Sequence, residues 1–383
     1  MNKQKLSVLF DANPLVAGQK SGVGYYTYQL IDALAKNYPD ELMLVGHYFN
    51  FLGRKNPDLP DHPNIKYKTS VLLPGKVLSV ARRLGLQLPF DILIKSRGDI
   101  ALFPNFVSLP MIQKAKKAVV IHDLCFEDFP QYLQEANRSF LQRFVPHSVK
   151  KADVVITISE STKEAILKHY NIDPKNILIT PIPPAEPIKE KAPRPQDIEL
   201  PKKYILFMST LEPRKNFINL VKAYSLLPRQ LKHEYGLVLA GGNGWETEEA
   251  MANIKRLQGE GENIVVAGYV SDDTRTYLYQ NASLLVMPSH YEGFGMPILE
   301  AMSYGVPAAV SDIPVFHEVA GNAAAYFDKD DVGSIATSIE NVLRDDQAIK
   351  NNMGRQLEKY NWDSVAFDVM ASFKKVTGKI NGF

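Results

Sequence analysis

The chain has 383 residues, of which 45% are hydrophobic, with 44 Lys+Arg against 42 Asp+Glu and a single cysteine. That length supports two domains with a core each, and so ordinary a composition excludes disordered, collagen-like and disulfide-rich classes. Cys125 alone forms no intrachain disulfide, no Cys/His zinc cluster can be read, and a net charge of +2 gives no reason to expect nucleic acid.

The charge is unevenly spread. Residues 1–190 hold 24 Lys+Arg and 18 Asp+Glu, net +6, which leaves 20 basic and 24 acidic residues, net −4, for the remainder. Two domains with different partners follow, one of them facing something anionic. Lys3 and Lys5 precede the apolar stretch Leu6–Phe10, but Asp11 ends it short of the roughly 7–15 residues of a signal-peptide core. No run approaches the roughly 18 apolar residues of a spanning helix, so a cytoplasmic location is expected.

In chain order, short apolar runs alternate with helix-length amphipathic stretches. The expected strands are Leu6–Phe10, Leu42–Gly46, Ile100–Phe103, Ala118–Ile121 and Val154–Ile158, then Tyr204–Met208, Gly236–Ala240, Ile264–Ala267, Leu284–Met287 and Ala308–Val310. They are rich in leucine and β-branched residues with little alternation, as strands buried on both faces are. Helical patterns lie between them, at Val23–Lys36, Ser161–Tyr170, Phe217–Leu227 and Ile298–Tyr304, and an amphipathic helix spans Asn361–Lys375. This alternation predicts parallel sheets covered by helices. Prolines 181, 183, 184, 187, 193, 195 and 201 mark a semi-rigid linker, because proline donates to no ladder and stops helices. The predicted division is 1–185, a linker 186–201, and 202–361. Two doubly wound α/β halves bind ligands beyond the carboxyl ends of their strands, so the cleft between them is the expected site.

Four motifs carry chemistry. In Pro288–Glu300, PSHYEGFGMPILE, a buried strand runs into a loop bearing Gly293 and Gly295, and Pro297 opens a helix. The glycines allow close backbone approach to a ligand, and the helix N-terminus suits phosphate. Glu292 on the loop and Glu300 one turn into the helix can accept hydroxyls at two ends of one ligand; the plainer alternative is a helix start with incidental glutamates. In Ser209–Asn216, STLEPRKN, Arg214 and Lys215 at a strand-to-helix turn suit a diphosphate clamp, against the alternative of a solvated charged turn. His122-Asp123 sits past the strand Ala118–Ile121, where α/β active sites form and where structural histidines also occur. The loop Gly18–Gly24, GQKSGVG, is not the GxGxxG dinucleotide fingerprint, because Thr27 stands at the last glycine position.

The string EGFGMPILEAMSYGVP resembles the signature of the family 4 retaining nucleotide-sugar glycosyltransferases, which have the two-Rossmann GT-B fold, and EPRK, HD and the first-strand glycine loop are similar to further motifs of that family. The resemblance implies that Glu300 binds the donor ribose and Glu292 the transferred hexose. It implies loop contacts to sugar and phosphate from Gly293, Phe294, Gly295, Met296 and Pro297. Arg214 and Lys215 would hold the diphosphate, His122 would contact the sugar near the reaction centre, and Gly22, with Gly24 next, would approach the β-phosphate. Ser209-Thr210 stands where many members have Gly-Arg, so one arginine contact is missing. Ala240–Trp245, AGGNGW, matches the family's glycine-closed strand beside the nucleotide. In GYVS, Tyr269 and Val270 correspond to the segment that reads the base, with core packing the equal alternative. The family also packs its last helix, here about 362–383, on the N-terminal domain.

No DxD lies at a strand end of the N-terminal half, and Asp328 and Asp330 stand late in the chain beside a helix cap, so metal-independent transfer with no cofactor is expected. No Ser–His–acid or cysteine nucleophile arrangement can be read. The resemblance is nearest to bacterial polysaccharide and O-antigen mannosyltransferases. It implies a GDP-mannose donor, with UDP-glucose, UDP-N-acetylglucosamine and dTDP-rhamnose as alternatives, and a glycan or lipid-linked glycan acceptor. A non-catalytic sugar-nucleotide-binding subunit of a synthesis complex is the rival from another class. Lys76–Arg83, KVLSVARR, reads either as a peripheral membrane contact at the inner face of the plasma membrane or as an amphipathic helix with its basic face in water.

Overall fold

The computed structural model describes residues 5–16, 21–54, 57–71 and 88–379. The start of the glycine loop at Gly18 and the whole of Lys76–Arg83 lie outside the described residues. The chain divides into two compact units, Met1–Ile182 with Asn361–Phe383, and Pro183–Tyr360.

The first unit is a seven-stranded sheet: β1 Leu6–Asp11, β2 Leu42–Phe49, β3 Ile65–Ser70, β4 Ile100–Phe103, β5 Lys116–Ile121, β6 Val154–Thr157 and β7 Ile177–Ile179. Its spatial order is β3-β2-β1-β4-β5-β6-β7, and every pairing is parallel. The second is a six-stranded sheet: β8 Tyr204–Met208, β9 Gly236–Ala240, β10 Ile264–Gly268, β11 Leu284–Met287, β12 Ala308–Ser311 and β13 Ala325–Phe327. It runs β10-β9-β8-β11-β12-β13, again all parallel. The expected pair of Rossmann-like sheets is thus present. In each sheet the order reverses once, between β1 and β4 and between β8 and β11, the switch points where α/β sheets open toward a ligand.

The central strands are buried on both faces, as their unbroken apolar runs require. Val119, Ile121 and Val155 belong to the first core, and Leu237, Leu239 and Val286 to the second. Short polar residues start the helices. Ser21 accepts the Gly24 N–H at 3.2 Å ahead of the helix Gly22–Asn37, and Asn361 accepts the Asp363 N–H at 2.7 Å ahead of Trp362–Thr377.

Three strands escaped the sequence reading, β3, β7 and β13, and all three are sheet edges. ILI and AYF are three residues long, and IKYKTS carries two lysines and has no buried residue, so none gives the continuous apolar signal of a central strand. The proline-rich stretch has no helix or strand of its own, yet it is tied along the second unit. Gln280 donates to the carbonyls of Ile188 (3.0 Å) and Glu190 (2.8 Å) and accepts the Ala192 N–H at 2.9 Å. The helix Trp362–Thr377 belongs to the first unit, where Asn37 meets Asp363 at 2.8 Å and Lys374 meets Glu41 at 2.7 Å. Among the described residues no helix is long and apolar enough to cross a membrane.

Candidate active site

In the second unit the two adjacent strands at the switch point, β8 and β11, each deliver a loop. After β8, Pro213 starts a short 3-10 turn, Pro213–Lys215. Asn216 closes it at φ 54°, a left-handed conformation that asparagine tolerates better than most residues. Its side-chain amide donates to the carbonyls of Pro288 (3.0 Å) and Lys329 (2.9 Å), which clamps the turn to the loop after β11. Backbone completes the junction, with the His290 N–H on the Arg214 carbonyl at 2.9 Å.

This clamp sets three charges together, Lys215 and Glu292 buried and Arg214 half-buried. Lys215 Nζ lies 2.6 Å from Glu292 Oε1, Arg214 lies 3.3 Å from Glu292 Oε2, and the Ser289 hydroxyl donates to Glu292 Oε1 at 2.9 Å. Arg214 also binds Glu212 at 2.8 Å and the Tyr291 carbonyl at 3.1 Å. Burial alone pushes the Glu292 carboxyl up, but Lys215, Arg214 and the Ser289 hydrogen bond outweigh it and hold it below its ordinary value. Burial, followed by the charge of Arg214, pulls the Lys215 ammonium down. Two cations, two carboxylates and a hydroxyl, with Lys215 and Glu292 buried among them, are suited to oxygen-rich, anionic ligands.

The loop then turns into the helix Met296–Ser303. Gly295 sits at φ 111°, and a Cβ there would lie 2.8 Å from the ring of buried Phe316, so any other residue is strained and crowded at this point. Phe294, expected to give a loop contact, has its side chain 3% exposed and packed edge-on against Tyr360 at 5.9 Å. Met296 and Pro297 form the first helical turn and are half-buried. Gly293 is buried in the same loop.

Glu300 is held by a different set. Its Oε2 accepts the Tyr279 hydroxyl at 2.6 Å, and Arg275 lies 3.6 Å from Oε1. Tyr279 is buried, stacked on Tyr304 at 5.9 Å, and its hydroxyl is raised well above its ordinary value by burial and then by Glu300. Tyr269, which follows β10, is 55% exposed, so it is no part of the core; Val270 is half-buried. Among the described residues no group of three or more His, Cys, Asp or Glu is arranged to hold a metal ion.

In the first unit, His122 follows β5. Its Nε2 lies 2.8 Å from the Pro104 carbonyl, which can only accept, so Nε2 carries the proton and Nδ1 is the bare nitrogen of the neutral ring. Burial lowers the pKa of His122 and keeps that neutral form. Asp123 receives the Cys125 N–H at 2.9 Å and so caps the next turn. Gly22 is exposed at the helix start, whereas Gly24 is buried with the Pro14 carbonyl 2.9 Å from where a Cβ would be. Sequence reading missed Glu212 and Ser289, which lie within the motifs, and Tyr279, which stands on the helix Asp272–Asn281 between them; no spacing singles any of them out.

The family model for glycosyl transferases group 1 matches residues 188–360, and that for glycosyltransferase family 4 matches residues 20–183. The chain is 29% identical over 389 residues to the O-antigen chain mannosyltransferase B of Escherichia coli, covering 96% of this chain and 100% of that protein. It is 27% identical over 358 residues to the O-antigen chain mannosyltransferase RfbU of Salmonella typhimurium, covering 90% and 94%. Among solved structures, sucrose-phosphate synthase of Thermosynechococcus elongatus has a TM-score of 0.72 at 16% identity, over 98% of this chain and 100% of that one, a likeness of fold.

Proposed function

Given that the chain belongs to the family 4 glycosyltransferases, enzymes of the GT-B fold, we propose that it transfers a mannosyl residue from GDP-mannose, with retention of configuration, to a growing surface polysaccharide. The observation that carries the reading is the buried contact of Lys215 with Glu292, with Arg214 beside it. A diphosphate leaving group accumulates negative charge as the glycosidic C–O bond breaks, and preorganised cations lower the free energy of that state. Arg214 and Lys215 take the diphosphate, with the N–H groups at the start of the helix Met296–Ser303. Glu292 binds hydroxyls of the sugar and Glu300 the ribose. His122 contacts the sugar beside the reacting carbon, Gly22 and Gly24 approach the β-phosphate, and Tyr269 and Val270 meet the base. The acceptor hydroxyl attacks the face that the diphosphate leaves, and no metal takes part.

The mannosyl donor is favoured by the likeness to two O-antigen mannosyltransferases over nine-tenths of this chain or more. The acceptor in this reading is a lipid-linked glycan, which puts the enzyme in the cytoplasm at the inner face of the membrane. The test is thermal stabilisation by a panel of nucleotides, followed by transfer with the donor that binds. Ligand at about 100 times Kd adds roughly 2.7 kcal/mol and moves the melting curve by several degrees. The expected result is a shift with GDP and GDP-mannose that EDTA leaves unchanged, and an α-linked product from the α-linked donor. A shift with uridine or thymidine nucleotides alone would overturn the mannosyl donor, and an inverted product would overturn the mechanism.

A further inference from the structure

His122 is held by more than its hydrogen bond to the Pro104 carbonyl. Its ring meets Phe106 at 5.5 Å and 60°, and Tyr26 at 5.3 Å and 86°. Phe106 sits at φ 58°, a strained conformation for so bulky a residue, and its N–H is fixed on the Val120 carbonyl at 2.9 Å. Tyr26 is fully buried, and its hydroxyl lies 2.6 Å from Thr180 Oγ1. Thr180 Oγ1 also lies 3.4 Å from the Thr157 carbonyl, so the Tyr26–Thr180 pair is joined to the end of β6. The Thr157 hydroxyl donates in turn to the carbonyl of Ile121 at 3.0 Å, and Ile121 is the residue before His122. Tyr26 therefore meets the imidazole ring against ring, and its hydroxyl belongs to a buried set of threonine contacts across the carboxyl ends of β7, β6 and β5 that ends on the backbone carbonyl before His122. Such a set, fully satisfied and out of water, is rigid.

The same tyrosine touches both places where the chain passes between the units. Thr180 lies two residues before the unit ends at Ile182, and Trp362 is the second residue after it resumes at Asn361. The Trp362 ring packs on Tyr26 at 5.9 Å.

We infer that Tyr26 is a positioning residue for His122, holding the imidazole in one orientation through its ring while its hydroxyl and ring are fixed by Thr180 and Trp362. The inference rests on the role given to His122 in sugar transfer. Tyr26→Phe keeps the ring and removes its hydroxyl; Thr180→Val keeps the shape and removes the partner hydroxyl. Each is expected to lower kcat about tenfold with the donor KM within twofold, and the double variant to fall no further, because both remove one interaction. The ring nitrogen signals of His122 in NMR are expected to shift in both variants, a readout that does not depend on activity. Wild-type kcat in Tyr26→Phe and Thr180→Val, with His122→Ala inactive, would overturn the inference. Unshifted His122 signals would overturn it whatever the kinetics. Full activity in His122→Ala would instead overturn the role of His122, and the ring signals would then judge the Tyr26 contact alone.

Discussion

Lys215 Nζ and Glu292 Oε1 meet at 2.6 Å although 77 residues separate them in the chain, because β8 and β11 lie side by side where the second sheet reverses its order. Both side chains are buried, so neither charge is screened by water as a surface pair would be. Lys215→Ala leaves Glu292 with Arg214 as its remaining cation, and the expected stability loss is about 1–3 kcal/mol. The rate should suffer more. Loss of one preorganised charge contact typically costs about 10²–10³, and kcat/KM is expected to fall by that factor. Steady-state kinetics beside a melting curve checks both, and an unchanged rate would remove Lys215 from the mechanism.

Tyr279 and Glu300 offer a test of nucleotide binding that leaves chemistry alone. The 2.6 Å bond fixes the carboxylate. Tyr279→Phe frees it to rotate while the stacking on Tyr304 persists. A hydrogen bond to a charged group is worth about 1.5–3 kcal/mol, so affinity for GDP and for GDP-mannose should weaken equally, by about tenfold or more. Isothermal titration with both ligands is the check. A loss confined to the sugar nucleotide would contradict the ribose assignment.

Acid should destabilise the first unit through His47. This side chain on β2 is buried, with Nε2 2.8 Å from the Ser70 hydroxyl, Nδ1 without a partner among the described residues, and the rings of Phe49 and Phe90 around it. Burial pulls its pKa down to about 4. The unfolded chain, with a value near 6.5, binds a proton more readily, so stability is intact above pH 6.5 and falls as the pH drops toward 4. The loss amounts to about 3 kcal/mol across that window. Denaturant midpoints at pH 7 and 4.5 measure it, and His47→Gln should flatten the difference. His122 contributes in the same direction, since burial lowers it too.

What the sequence disclosed follows from where its signals are dense. Central strands announce themselves by unbroken apolar runs, and the loops after β8 and β11 carry enough glycine, proline and charge to be found without coordinates. Edge strands such as β7, three residues long and half-buried, carry no such signal. The chain of hydroxyls behind His122 was equally hidden. Tyr26 and Thr180 stand 154 residues apart, and tyrosine and threonine are common in any domain. Only the pairing of β6 with β7 brings Thr157 to Thr180. Phe294, a residue of the loop whose amides the resemblance gives to the ligand, packs its ring on Tyr360, where a phenyl gains more than from water.

Gly295 separates the requirements of the fold from those of the ligand. At φ 111° an alanine incurs the left-handed penalty of about 1–2 kcal/mol. Its Cβ would also lie 2.8 Å from Phe316, itself fully buried, and 3.2 Å from Ile298, and overpacking of that kind costs about 1–3 kcal/mol more. Gly305, at φ 72° with open space where a Cβ would go, pays the backbone term alone. Gly305→Ala should therefore lower the melting temperature slightly and leave the affinity for GDP unchanged. Gly295→Ala should lower it by several degrees more and weaken GDP as well, because the strain is relieved by moving the first turn of the helix Met296–Ser303. Melting curves and GDP titrations of the two variants distinguish the cases. Equal GDP affinity in both would mean that the amides beyond Gly295 do not hold the diphosphate.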